Sequence, residues 1–366
     1  MRSGWACAFP VSCRLAGGRI VCAYRRGREK HSRDGVLMVQ GSADDGRTWS
    51  EPATIFDGLG GIQPESVHAG AIGQAADGTV VALFTAVPVA EAESYIFSAA
   101  GRRLAHRFYV CHSPDEGLSW GAPQSPDLPA TPPLTYINSR PLALPDGSLL
   151  VAVEVTTEAQ LQAVMIGRYL PAQGAFAPFQ YVANDAGGRL NFGDPKLLRL
   201  PDGRILLWLW TFAQATEETL SAHLCESADG GRTWSAPQPA SLVCQNSAIL
   251  LGSGGRLLVA GNMRVAPAGI RLWNLAPAGG TWTAGPALRM WDEEAQRVLG
   301  EPLSADPTAA DPSRGRLWNS LPRFTFGAPD LVPAGDPAVL LTFYAESSGH
   351  AQVRGCRFRP QPVEPN

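Results

Sequence analysis

The chain contains no run of about 18 consecutive apolar residues, so no segment of it reads as a membrane-spanning helix. It also lacks a cationic surplus. Lys and Arg together number 30 against 33 Asp and Glu, a formal charge of −3. A polyphosphate backbone would find no basic face here, which argues against nucleic acid as the main partner. Cysteine is sparse and unpatterned: seven residues, an odd number, with no CxxC pair and no His/Cys group at zinc spacing. Most sit inside apolar strand patterns, as in Val21-Cys22-Ala23, and read as buried reduced thiols. The first residues, Met1-Arg2-Ser3-Gly4-Trp5-Ala6-Cys7, lack a long apolar core and run straight into a strand pattern. The expectation is therefore no signal peptide and a cytoplasmic location. No motif calls for a metal or an organic cofactor.

Glycine (39) and proline (31) are abundant, and 45% of the 366 residues are hydrophobic. That combination suits many short strands joined by tight turns. Length alone would suggest two domains, but closed all-β architectures often exceed the usual domain size as one unit. One phrase recurs along the chain: an apolar strand, a glycine-bearing turn, and a second apolar strand. Its turns are Gly17-Gly18, Asp77-Gly78, Asp146-Gly147, Asp202-Gly203, Gly254-Gly255 and, more loosely, Gly335-Asp336. Asp-Gly and Gly-Gly favour short hairpins because they tolerate positive φ. Six hairpins at regular intervals predict an all-β, six-bladed propeller.

A sharper signature is S-x-D-x-G-x-[ST]-W. It occurs at Ser42–Trp49, Ser113–Trp120 and Ser227–Trp234, with a weaker relic at Gly279-Gly280-Thr281-Trp282. The Asp can accept N–H bonds within the turn, the Gly can turn left-handed, and the Trp offers an apolar face to the next hairpin. These are Asp boxes, and through them the chain resembles the sialidase (neuraminidase) superfamily and the wider group of BNR-repeat proteins. The resemblance implies a sialidase-like propeller over nearly the whole chain, with the boxes as scaffold on the face opposite the active site. One domain spanning 1–366 is expected. Its blades run at about 6–56, 63–127, 135–183, 188–240, 243–290 and 320–359. Residues 294–319 read as a long surface connector, and residues 2–5 as the strand that closes the last blade.

With the boxes at the bottom, the top face carries the start of each inner strand and the loop after each second strand. By resemblance, the first top loop supplies a substrate-binding arginine, Arg25 or Arg26, and the general acid Asp34, with His31 as an alternative acid. Other polar residues at blade tops are Glu65, His68, Arg140, Glu154, Asp194, Asn246, Arg264, Arg323 and Tyr344. Their convergence on one axial pocket makes a binding site. Residues 87–107, with Tyr95, Phe97, Arg102 and Arg103, read either as a lid or as a surface excursion.

A sialidase holds a carboxylate with three arginines and uses a Tyr–Glu pair for nucleophilic attack. In this chain Ala8-Phe9-Pro10 stands where the family has Arg-Ile-Pro, and Asp194 and Asn246 stand where the other arginines are sought. Phenylalanines open the last blade, with Tyr344 one strand further out as a poor substitute for the nucleophile. The first expectation is therefore a divergent glycoside hydrolase for an acidic or otherwise unusual sugar. Asp34 or His31 would be its acid, and Glu65, Glu154 or Asp194 its base or nucleophile. Arg25, Arg26, His68, Arg140, Asn246, Arg264, Arg323 and Tyr344 would hold the substrate. A sugar-binding propeller without catalysis, with Trp208, Trp210, Tyr24 and Tyr344 stacking on a ligand, and a scaffold or assembly propeller remain the alternatives.

Overall fold

The computed structural model describes residues 4–91, 98–99, 104–129, 131–264, 267–278, 281–302, 324–347 and 349–360. Its strands are antiparallel ladders arranged as a six-bladed propeller. Blade 1 is built from Ala6–Arg14, Ile20–Gly27, Val36–Ser42 and Ala53–Phe56, counted from the axis outwards. Blade 4 repeats that order with Leu190–Arg199, Ile205–Ala213, Ser221–Ser227 and Gln238–Val243. Blade 2 has Glu65–Gln74, Val80–Pro88 and Arg107–Ser113, and Gln124 exchanges two backbone bonds with Val110 in the fourth-strand position. Second strands are buried on both faces, as in Val80–Val87 and Ile205–Phe212, because neighbouring blades cover them.

Blade 3 departs from this order. Its inner strand is split into Leu134–Tyr136 and Leu142–Ala143, both paired with Leu149–Thr156, and it is completed by Gln162–Leu170 and Ala175–Ala183. Blade 5 starts at Ser247–Leu251, Leu257–Met263 and Gly269–Ala278, and Thr281–Ala284 with Leu288–Asp292 forms its outer position. A further strand, Arg297–Pro302, pairs with Leu288–Asp292. The expected connector thus begins as sheet, and the rest of it lies outside the described residues. Blade 6 has Phe326–Pro333, Val339–Ser347 and His350–Phe358. Among the described residues no strand pairs with the outer edge of His350–Phe358. Trp5 is not in a strand, but its carbonyl accepts a bond from Gln352 Nε2 at 3.1 Å; Arg2 and Ser3 lie outside the described residues.

The bottom face repeats one chemistry. In each Asp box the carboxylate accepts from the backbone and hydroxyl of the Ser or Thr four residues on: Asp44 from Thr48 at 2.8 and 2.6 Å, Asp115 from Ser119 at 2.8 and 2.5 Å, and Asp229 from Thr233 at 2.9 and 2.6 Å. These bonds hold Asp44 and Asp115 down to about 2, and Asp229 lower still, with the hydroxyl bond the largest cause in each. The box glycine is left-handed at φ 83°, 85° and 83° in Gly46, Gly117 and Gly231, and the residue before it is left-handed too (Asp45, Glu116, Gly230). Each glycine also meets the second strand of the preceding blade. A Cβ there would stand 2.9 Å from Leu340, 3.2 Å from Val21 and 2.5 Å from Leu150 respectively. The boxes therefore lock blade to blade around the ring.

Candidate functional site

Three inner strands carry the same interruption. Each has one extra residue at Ala8-Phe9-Pro10-Val11, Gly193-Asp194-Pro195-Lys196 and Gly327-Ala328-Pro329-Asp330. Proline has no N–H for the ladder, so the strand bulges there. The residue before it is left-handed, at φ 56° in Phe9, 46° in Asp194 and 47° in Ala328. Non-glycine residues in that region cost about 1–3 kcal/mol each, and such strain gathers at functional sites. These bulges turn side chains onto the axis. Seven of the ten residues lining the axial cavity belong to them; Tyr136, Asn138 and Asn246 complete it. The cavity encloses about 240 Å³, its open mouth included.

The floor is a clasp across the axis. Arg140 leaves the broken strand of blade 3 and reaches Ser12 O at 2.6 Å, both Asp330 oxygens at 3.1 Å and Leu331 O at 3.0 Å. Asp330 also accepts from Ser12 N at 2.6 Å. Arg140 was expected to bind substrate; its guanidinium instead ties blade 3 to blades 1 and 6. The wall between blades 3 and 4 is a buried polar group. Asn138 Nδ2 donates to Asp194 Oδ1, Asp194 N to Glu154 Oε1 at 2.6 Å, and Gln162 Nε2 to Glu154 Oε2. Lys196 Nζ donates to Asn138 O at 2.9 Å. Burial pulls the Lys196 ammonium down, against the pull of Asp194, Asp330 and Glu154.

Behind the lining residues Phe9 and Ala328 lies Tyr344. Although it lies on the second strand of blade 6, its hydroxyl stands 3.1 Å from where a Gly327 Cβ would be, so it reaches the inner strand. Strand order made it look too remote; the glycine across from it leaves the room. Burial pushes this hydroxyl up to about 12, while the Arg264 charge and hydrogen bond pull the other way. Arg264 is held between the rings of Phe324 and Phe326, 4.1 and 4.2 Å from their centres. Lys30 Nζ donates to Phe324 O, sits 5.3 Å over the Tyr344 ring and lies 3.7 Å from Glu346. Burial pulls Lys30 down to about 8, against that carboxylate. Phe9 meets both Tyr344 and His31, with ring centres 5.5 and 5.7 Å apart.

Other expected site residues are drawn into the scaffold. Arg25 is buried and makes four bonds to the carbonyls of Val67, Glu29, Lys30 and Ser32. It organises the first top loop and does not line the cavity. Asp34 folds back onto that loop, accepting from Arg28 N at 3.1 and 3.2 Å. Arg26 lies over the Trp5 ring at 5.3 Å, on the side of the blade facing away from Arg25. Glu65 is directed outwards, to Arg107 at 2.8 Å and the Tyr109 hydroxyl at 2.5 Å. His68 sits behind the wall, its Nδ1 2.8 Å from His106 Nε2 and its ring 4.8 Å from Tyr136. Trp208 and Tyr24 are buried packing residues, bonded to Ser247 and Gln40. Trp210 packs on Phe212, with Phe324 against the pair. Arg323 and residues 92–97 and 100–103 of the expected lid, including Tyr95, Phe97, Arg102 and Arg103, lie outside the described residues.

Lys196 and Asp330 did not stand out in the sequence. The signal that could have found them is the small-x-Pro triplet shared by three blade starts, since each of them follows such a triplet directly. Among the described residues no group of three or more His, Cys, Asp or Glu is arranged to hold a metal ion.

Solved structures share this fold. A protein of unknown function from Dyadobacter fermentans is 18% identical, with a TM-score of 0.74 over 98% of this chain and 96% of that one. A Hadza microbial sialidase is 15% identical, with a TM-score of 0.65 over 96% of this chain and 66% of that one. An alpha-L-arabinanase of Penicillium chrysogenum, complexed with arabinobiose, is 12% identical, with a TM-score of 0.60 over 97% and 93%. Identities this low speak for the fold alone. No curated protein sequence matches the chain. A family model described as the BNR repeat-like domain matches residues 18–318, and with three Asp boxes in place on a six-bladed propeller the chain belongs to that family.

Proposed function

We propose that the protein is a sialidase-like glycoside hydrolase that removes a terminal sugar at the axial pocket. The observation that carries this reading is the set of three strained bulges, which put Lys196 and Asp330 on the cavity lining and hold Asp194 against the lining residue Asn138. A scaffold has no need to keep such strain or to gather ionisable groups there. The Arg140–Asp330 floor closes the channel, which suits cleavage at a chain end. Sialidases and an arabinanase among the proteins of like fold support a carbohydrate ligand. Of the two acids considered, His31 has the better position, because its ring meets Phe9 at the cavity wall while Asp34 is turned into its own loop. Asp194 is the candidate base or nucleophile, oriented by Asn138. The seven free thiols favour a reducing compartment such as the cytoplasm.

The test is hydrolysis of a panel of chromogenic glycosides, including sialosides, uronides and neutral sugars, by wild type, Asp194→Asn and His31→Gln. A fall of at least ~10²-fold in both variants is expected where these groups transfer the proton. Turnover that survives in both would remove them from the chemistry. No turnover on the whole panel, with sugar still bound, would leave a binding propeller in place of a hydrolase.

A further inference from the structure

Two amide oxygens face the axial cavity with nothing to accept. Asn138 is buried, and its Nδ2 donates to Asp194 Oδ1. That bond identifies the nitrogen end of the amide, so the other end is an oxygen. This Oδ1 is out of reach of solvent and has no donor, and the same holds for Asn246 Oδ1. Both residues line the cavity, one from blade 3 and one from blade 5. A buried acceptor without a donor is unfavourable unless something brings a hydrogen to it. Asn138 and Asn246 share this end of the cavity lining with Lys196 and Asp330.

The charges around this end do not call for an anion. Lys196 and Arg140 stand against Asp194, Glu154 and Asp330. Outside the lining, Lys30 is paired with Glu346, and Arg264 lies between two phenyl rings. The lining itself carries one cation, Lys196, and one carboxylate, Asp330, and the charges around it balance at three cations and three carboxylates. An entering carboxylate would meet acceptor oxygens and cations that already have carboxylates near them.

We infer that the axial pocket takes an uncharged sugar, which enters hydroxyl first and donates to Asn138 Oδ1 and Asn246 Oδ1. The inference rests on the reading of the pocket as a sugar site and narrows the sugar it takes. A donor-rich, neutral ring supplies hydrogens to both orphaned oxygens. An acidic sugar gains nothing there.

Binding, read separately from hydrolysis, tests this. Ligand-observed NMR and thermal shift would compare methyl glycosides of neutral pentoses and hexoses with sialic and glucuronic acids. The proteins are the full-length wild type, Asn246→Ala and Asn246→Asp. Neutral sugars should bind wild type and acidic ones should not. Asn246→Ala should weaken neutral-sugar binding by about tenfold, and Asn246→Asp, which keeps an acceptor, should largely restore it. Circular dichroism of each variant guards against misfolding, and Asn246→Asp carries the test if Asn246→Ala does not fold. Preferential binding of acidic sugars overturns the inference, as does neutral-sugar affinity unchanged in Asn246→Ala. No binding of any sugar overturns both the inference and the sugar-site reading. Neutral binding that depends on Asn246 without turnover leaves the inference standing and removes only the hydrolase.

Discussion

The two faces of this propeller are built by opposite means. At the bottom, three Asp boxes repeat the same bonds, the same left-handed pair and the same contact with the preceding blade. At the top the contributions are mixed: a phenylalanine and a proline from blade 1, amides from blades 3 and 5, a lysine from blade 4 and an aspartate from blade 6. Repetition closes a ring because every junction has the same geometric problem. A site needs different groups converging on one point, and so it is made where the repeat breaks, at the three bulges and the split strand of blade 3. The comparison predicts that bottom-face changes cost stability and leave the chemistry alone, with the reverse at the top.

The largest effect is expected at the one element that belongs to both. Arg140→Ala strips the partner from a buried carboxylate, Asp330, and unties blade 3 from blades 1 and 6. A loss of about 3 kcal/mol in urea unfolding is expected, with activity falling as the floor opens. A loss under about 1 kcal/mol would mean that the axis is held elsewhere.

The next effect separates two neighbours in one box. Gly231→Ala places a Cβ 2.5 Å from Leu150 in a left-handed position, whereas Gly230→Ala is left-handed with nothing within 4 Å. Strain with overpacking should cost about 2–4 kcal/mol at Gly231, and strain alone about 1–2 kcal/mol at Gly230. Equal losses would mean that the contact between blades adds nothing to the turn. Neither change should alter the rate per folded molecule. At the top, Gly327→Ala pushes on the far end of the Arg264 side chain, 2.8 Å away. That flexible end can shift, but Gly327 sits at φ 157°, where an L residue is strained, so stability should drop by about 1–3 kcal/mol. A roughly tenfold fall in kcat/KM, about 1.4 kcal/mol, is the expected cost of moving Arg264 off Tyr344. A large stability loss with unchanged kinetics would place Arg264 in the scaffold.

How much of each face could be read in advance follows from the range of its contacts. Ser42, Asp44, Gly46 and Thr48 bond within a single turn, so a local pattern carries the whole device. The hairpin glycines are equally local, and Gly18, Gly78, Gly147 and Gly203 all turn left-handed at φ 83–92°. The pocket has no such economy of range. Ser12 meets Asp330 across 318 residues and Arg140 meets it across 190, and no spacing rule connects such positions. Residue type also misleads where one group can do two jobs. Arg25 in a top loop looks like a ligand for anions, yet its donors serve four backbone carbonyls. Tyr344 was discounted by strand order, which says nothing of how far a side chain reaches past a glycine. His31 and Asp34 were legible as a pair, and only their neighbours distinguish them.

The smallest predicted effect concerns protons. Asp44, Asp115 and Asp229 have folded pKa values depressed below 3.8, to about 2 for the first two, because hydroxyl and backbone donors hold the charged form. A depressed carboxylate gives stability that is fully present above its unfolded value. That stability is lost as the pH falls through the folded value. The boxes should therefore add an acid limb between about pH 4 and pH 2, where the unfolded chain binds more protons than the native one. Melting temperature against pH for wild type and Asp44→Asn checks this: the variant should be less stable at neutral pH and show a shallower limb. Because the donors are neutral hydroxyl and backbone groups, salt should change the difference little. The pocket shares none of these groups, so Asp44→Asn should leave the pH dependence of catalysis where it was. A parallel shift of both profiles would show that the bottom of the propeller speaks to the top, and would undo the division of labour between the two faces.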